Sequence, residues 1–195
     1  MLLISSCGRT LKTELYPNGL KKSEISYLGD KLDGDCKFYY NNGKLQSSFF
    51  YINGKLEGKT QRYSFNGEII SEDFYKHGKL NGVSKIYFNE SQGTIKEIKH
   101  YKEDSLNGKY TVFYRSGEIK IEGNYYNNLY DSIWNYYDRY GRLIGKGNFI
   151  RGNGTLEAYH KNGEISQITN YINNEISGEE MHYDIEGNLI ETTDY

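Results

Sequence analysis

The sequence predicts an all-β protein, an elongated single-layer antiparallel β-meander built from about seven hairpin repeats of ~24 residues. Three observations carry that reading. Gly19, Gly43, Gly67, Gly93, Gly117, Gly141, Gly163 and Gly187 recur at spacings of 22 to 26 residues. Eight residues after each of these glycines stands an aromatic: Tyr27, Tyr51, Tyr75, Tyr101, Tyr125, Phe149, Tyr171 and Tyr195. The chain holds one proline in 195 residues, and its frequent turn pairs leave helices almost no room. Units of this length bury their apolar side only by stacking on their neighbours. Such arrays offer an extended surface more often than a catalytic pocket.

Each repeat reads as two short strands and two turns. After the anchor glycine, Lys44 to Tyr51 (KLQSSFFY) has the length and aromatic content of a strand. Asn53-Gly54 suits a tight hairpin turn in which both central residues hold positive φ. A second strand then runs from about Lys59 to Phe65 and turns at Asn66-Gly67. The same turn reading extends to Asn18-Gly19, Asn42-Gly43, His77-Gly78, Ser116-Gly117, Asn162-Gly163 and Asn173-Asn174.

An aliphatic stands two residues after the anchor from the second unit on: Leu45, Ile69, Ile95, Ile119, Leu143, Ile165 and Leu189. A second glycine recurs at Gly34, Gly58, Gly82, Gly108 and Gly178, with Ser132 in its place once and Gly154 two residues early. Five residues beyond it comes another aromatic: Tyr39, Tyr63, Tyr87, Phe113, Tyr137, Tyr159 and Tyr183. The two aromatic positions hold 13 of the 21 tyrosines, so the tyrosine excess is architectural first. Two length changes, an extra pair near Ser91-Gln92 and a missing pair near Arg151-Gly152, are expected in turns, where strand register survives them. About fourteen strands at 4.8 Å spacing would make a body roughly 70 Å long.

With 36% apolar residues and a net charge of −2, the chain offers neither a thick core nor a nucleic-acid stripe. No apolar run reaches the length of a membrane span. Ahead of the array, Met1-Leu2-Leu3-Ile4-Ser5-Ser6-Cys7 resembles the end of a bacterial lipoprotein signal, with a short apolar stretch and small residues before the cysteine. Lipidation at Cys7 would make this an envelope lipoprotein touching the membrane only through its lipid anchor. The alternative is an ordinary extension on a cytoplasmic protein. Cys36 is read as a casual strand position rather than a partner for Cys7.

The segments YINGKLEG, from Tyr51 to Gly58, and YKHGKLNG, from Tyr75 to Gly82, resemble the heart of the MORN repeat. With the 24-residue spacing and the aliphatic after the anchor, the chain is similar to the variant form found in bacterial proteins grouped as YwqK-type antitoxins. The resemblance covers nearly everything from Tyr16 to Tyr195. It implies an antiparallel array of hairpins without a cofactor, and a protein partner that could be a toxin. Residues 1–10 are then a truncated signal-like segment and extension, and residues 11–195 the MORN-variant repeat domain. Departures at Ser132, at Arg151 to Gly154 and at Glu103-Asp104 bear on local turn geometry.

The residues point away from catalysis. His77, His100, His160 and His182 fall at four different offsets, no zinc spacing occurs, and no nucleophile or phosphate-loop motif is present. Choline-type cages need paired tryptophans, and Trp134 is alone. Surface chemistry remains. Strand alternation puts Tyr110, Tyr114, Trp134 and Tyr136 on one face, and tyrosine and tryptophan make contact surfaces energetic. These four are the candidate contact site for a protein partner, with a cell-surface glycan stacked on the same rings as the alternative. If they form a contact site, Trp134 should be partly exposed.

Overall fold

The computed structural model describes residues 8–89 and 93–195. Cys7 and the pair Ser91-Gln92 lie outside the described residues. The chain forms two compact units, one up to Thr94 together with Lys102–Asp104, the other Ile95–Tyr101 with Ser105–Tyr195. Every described element is a β-strand, and the described pairings are antiparallel between chain neighbours. The expected all-β meander is what the residues build.

Seven hairpins carry the repeats. Those of the first unit pair Lys21–Leu28 with Lys31–Tyr39, Leu45–Ile52 with Lys55–Leu56 and Gly58–Tyr63, and Ile69–Lys76 with Lys79–Leu80 and Gly82–Tyr87. Hairpins of the second unit include Ile119–Tyr126 with Leu129–Tyr137, Leu143–Ile150 with Asn153–Tyr159, and Ile165–Ile172 with Glu175–Ile176 and Glu179–Tyr183. Twenty strands are described, where the sequence predicts about fourteen. Four second strands are cut in two, and Arg9–Leu15 and Leu189–Asp194 flank the hairpins.

The two turns of a repeat are chemically different, which corrects the uniform Asn-Gly reading. At Asn53-Gly54 both residues hold positive φ (50° and 78°), and Asn127-Asn128 and Asn173-Asn174 match them. These are two-residue turns whose twist suits the flanking strands. Glu103-Asp104, where Asn-Gly is missing, still forms this turn at φ 48° and 69°. At the anchor glycines only the glycine is left-handed, as at Gly19 (φ 81°). The Gly19 N–H donates to the Tyr16 carbonyl and the Tyr16 N–H to the Leu20 carbonyl, a three-residue loop closed by a glycine bulge. The preceding asparagine has another task. Asn18 Oδ1 accepts the Leu20 N–H, while its Nδ2 donates to the Asn41 carbonyl of the next repeat at 2.8 Å. Asn42 and Asn162 repeat both bonds one turn further along each time.

A bulge also explains the two periodic apolar positions. Register slips just before each aromatic of the second strand, so that it pairs with the aliphatic two residues after the anchor: Tyr39 with Leu45, Tyr63 with Ile69, Tyr137 with Leu143. The two signals legible in the sequence are thus one cross-strand contact, of a kind that adds about 0.2 to 1 kcal/mol. The second glycine marks another bulge. Between Ile25↔Cys36 and Tyr27↔Leu32 the pairing shifts at Gly34, whose φ is 105°.

The shortened repeat is corrected in the same terms. The missing pair was expected in the turn, yet Arg151-Gly152 turns the chain like its counterparts, at φ 47° and 82°. What is absent is the bulge: pairing runs without a slip from Ile150↔Asn153 to Gly145↔Ala158.

Successive hairpins are tied along the turn edge. Backbone N–H groups of Gly54 and Gly78 donate to the carbonyls of Leu32 and Leu56, and Asn128 to Leu106 in the second unit. The neighbouring turn N–H groups find side chains: Asn53 bonds Asp33, His77 bonds Glu57, Arg151 bonds Asp131. Asp33 is buried and also grips Arg9. The Asn53 N–H, and then Arg9, hold its carboxyl below the ordinary range.

Candidate functional site

In the second unit the aromatics that face one side of the sheet pack into a continuous cluster. Trp134 is its centre and is 2% exposed. Its ring lies 4.8 Å from Tyr130, 5.0 Å from Tyr125 and 5.5 Å from Tyr110, and its Nε1 donates to the Asn124 carbonyl. Tyr130 continues the cluster to Phe149 at 5.3 Å and to Tyr171 at 6.3 Å. Edge-to-face and tilted pairs at these separations suit the ring quadrupoles.

Three glycines outside the periodic set make the packing possible. A Cβ at Gly123 would collide with the Trp134 indole, one at Gly147 with the Phe149 ring, and Gly145 sits against Tyr136. The indole therefore lies down on the backbone, walled by its neighbours, instead of standing out from the sheet. A contact site at Tyr110, Tyr114, Trp134 and Tyr136 requires a partly exposed Trp134, and that condition is not met.

The other members of the expected site divide. Tyr110 and Tyr136 belong to the cluster face. The Tyr110 hydroxyl donates to Glu97 Oε1 at 2.7 Å, and burial, then Glu97, push its pKa far above that of a free phenol. Tyr136 pairs with Ile121 and Gly145, and burial, then Tyr130 and Tyr171, push its pKa up to about 12. Tyr114 does not join them. Register slips between Val112 and Phe113, which breaks simple alternation, and the Tyr114 hydroxyl donates to the Tyr137 carbonyl at 2.8 Å.

Hydroxyl partners sort the tyrosines into two sets. Outside the cluster Tyr39, Tyr87 and Tyr137 donate to Glu24, Glu72 and Glu122, each fifteen residues earlier. In the cluster, the hydroxyls of Tyr125, Tyr130, Tyr136 and Tyr171 make no hydrogen bond with any described residue, although the rings are half-buried. Tyr125, Tyr130 and Tyr171 were not among the expected site residues. Tyr125 and Tyr171 were legible only as periodic aromatics. Tyr130 stands where other repeats carry Leu32, Leu56, Leu80 and Leu106, and that departure was its signal.

The described residues contain no group of three His, Cys, Asp or Glu side chains suited to a metal ion. His160 and His182 have separate partners, the Tyr183 carbonyl and Glu180. Glu180 is buried and accepts the Thr169 hydroxyl on its other oxygen. Cys36 is a free thiol, 1% exposed, with its pKa raised by burial.

The MORN repeat variant family matches residues 32–53, 56–77, 106–128 and 153–173, each segment covering an anchor-glycine loop and the strands on either side of it. The chain is a repeat protein of the MORN-variant type. No curated protein matches the sequence. Solved structures with similar segments include the Tc holotoxin pore of Photorhabdus luminescens, at 10% identity over 89% of this chain and 12% of that one, TM-score 0.25. The TcdB2–TccC3–Cdc42 complex aligns at 13% identity over 95% of this chain and 12% of that one, TM-score 0.26. Accessory secretory proteins 1, 2 and 3 of Streptococcus pneumoniae align at 10% identity over 80% of this chain and 20% of that one, TM-score 0.15. The chain thus spans a fifth or less of each of these proteins.

Proposed function

We propose that this MORN-variant array is a non-catalytic binding module, and that its contact surface is the tyrosine face of the second unit. One observation carries the reading: Tyr125, Tyr130 and Tyr171, on rings fixed by ring contacts, and Tyr136, seated against Gly145, present hydroxyls without described partners. Fixed rings lose little conformational entropy on binding, and free hydroxyls give the partner's polar groups something to bond. Trp134 is the floor under this surface and not a contact itself.

The partner proposed is a protein. A glycan is the second reading, favoured by the same combination of ring faces and free hydroxyls. For cellular context we propose an envelope lipoprotein anchored through Cys7, with toxin neutralisation as the form of partner binding suggested by the resemblance to antitoxins. Metabolic labelling with a fatty-acid analogue tests the anchor: label lost on Cys7→Ala supports it, and an unlabelled wild type removes it.

A photo-crosslinking residue at Tyr136 tests the surface. In the native host it should trap a discrete protein that the same group at Lys146, on the opposite face, does not. Equal trapping at both positions would contradict the assignment.

A further inference from the structure

The first unit holds a depression of about 480 Å³ walled by Tyr40, Phe49, Tyr63 and Ile70, with Ser47 and Arg62 on its lining. Arg62 is out of place by the logic of the repeat. The other hairpins carry Phe38, Ile86, Val112, Tyr136, Ala158 and His182 at the same position, four residues after the second glycine or its substitute, so all but the last are apolar or aromatic. It is also unengaged. Arg9 is paired with Asp33, Arg142 with Asp138, Arg139 and Arg151 lie over the rings of Tyr140 and Tyr126, and Arg115 is engaged as well. The Arg62 side chain makes no hydrogen bond, ion pair or ring contact with any described residue. Asp73, an acid on the same face, has a carboxylate oxygen accepting the Ser84 hydroxyl.

Register places two further donors beside it. Ser47 is directly opposite Arg62 on one side and Ser71 on the other, so all three side chains share a face. Neither serine hydroxyl has a hydrogen-bond partner among the described residues. A guanidinium fork flanked by two hydroxyls matches the oxygens of a carboxylate or phosphate. The surrounding rings and Ile70 suit a flat apolar body, and the volume falls in the range of small-ligand sites.

We propose that this depression binds an organic oxyanion, a carboxylate or phosphate group carried on an aromatic or branched apolar body. Arg62 supplies the fork, Ser47 the donor on the lining, Ser71 a second hydroxyl beside Arg62 by register, and the rings the stacking walls.

Calorimetric titration of the full chain with benzoate, phenyl phosphate, neutral benzamide and inorganic phosphate tests it. Benzoate or phenyl phosphate should bind at least roughly tenfold more tightly than benzamide, the contribution of a charge-assisted pair. The tighter of the two identifies the natural oxyanion. Arg62→Gln should abolish the difference and Arg62→Lys should retain part of it. Both variants should melt with the wild type, because Arg62 has no partner to lose. Benzamide binding as well as benzoate, affinity unchanged in Arg62→Gln, or no heat from any probe up to about 10 mM would overturn the proposal. Inorganic phosphate binding as tightly as phenyl phosphate would overturn it too, since it would leave the apolar walls without a role.

Discussion

Ser132 occupies the place of a glycine and keeps the glycine's backbone, at φ 61° beside 71° at Gly58 and 72° at Gly178. A serine there carries a steric cost that glycine lacks. Ser132→Gly should therefore stabilise the protein by about 0.5 to 1 kcal/mol, read as a higher urea midpoint with unchanged slope. Trp134 supplies the opposite case. Trp134→Ala should destabilise by about 3 to 5 kcal/mol as a core truncation. Gly123→Ala should also destabilise, because its methyl would meet the indole. Native Trp134 emission should be blue-shifted and resistant to quencher. The burial was not legible in the sequence, since it depends on Gly123 and Gly147 being brought against the rings of neighbouring strands. A period of 24 residues says nothing about glycines that fall outside the period.

Within a hairpin, the tyrosine–glutamate pairs behave as a unit. Where Glu24, Glu72 and Glu122 have a counterpart in Ile98, the partner aromatic is Phe113, which has no hydroxyl to satisfy. In that hairpin both members change together, whereas Tyr63 and Tyr183 keep their hydroxyls where the residue fifteen earlier is Ser48 or Ile168. A cycle of Ile98→Glu, Phe113→Tyr and the double variant should show a favourable coupling of about 1 kcal/mol, and additive melting shifts would refute the pairing. Hairpin existence was readable because glycine, aromatic and aliphatic recur together, but the pairing of that aromatic with that aliphatic appears only once the bulge is known. The distinction between the two turn types was not, because Asn-Gly fits either one. In Asn18, Asn42 and Asn162 the asparagine is used for its side-chain amide, which bonds the next repeat. The lost bulge at Asn153 to Gly154 was likewise hidden, since a two-residue deletion looks the same in turn or strand until register is known.

Across the whole molecule, stability is tied to keeping phenols neutral and carboxylates ionised. Burial and then a glutamate neighbour push Tyr39, Tyr87 and Tyr159 up to about 12, against 10 for a free phenol. A raised phenol pKa favours the fold fully below pH 10, and the advantage falls as pH rises toward 12. Lowered carboxylates act in reverse. Glu24, through Lys21 and then Tyr39, and Asp33, through Asn53 and then Arg9, stabilise the fold above their unfolded pKa values and lose that contribution as acid protonates them. Circular dichroism across pH should show a stable plateau at neutral pH, with alkaline unfolding in step with tyrosinate absorbance.

A parallel Tyr→Phe scan tests the division of the tyrosines into two sets most directly, each variant measured for melting and for binding of the crosslinked partner. Substitution at Tyr39, Tyr87 or Tyr137 should lower stability by about 1 kcal/mol each and leave binding intact. At Tyr125, Tyr130, Tyr136 and Tyr171 it should weaken binding and leave melting unchanged. Binding insensitive to all four cluster hydroxyls, or lost equally with the glutamate-bonded set, would contradict the assignment of the contact face.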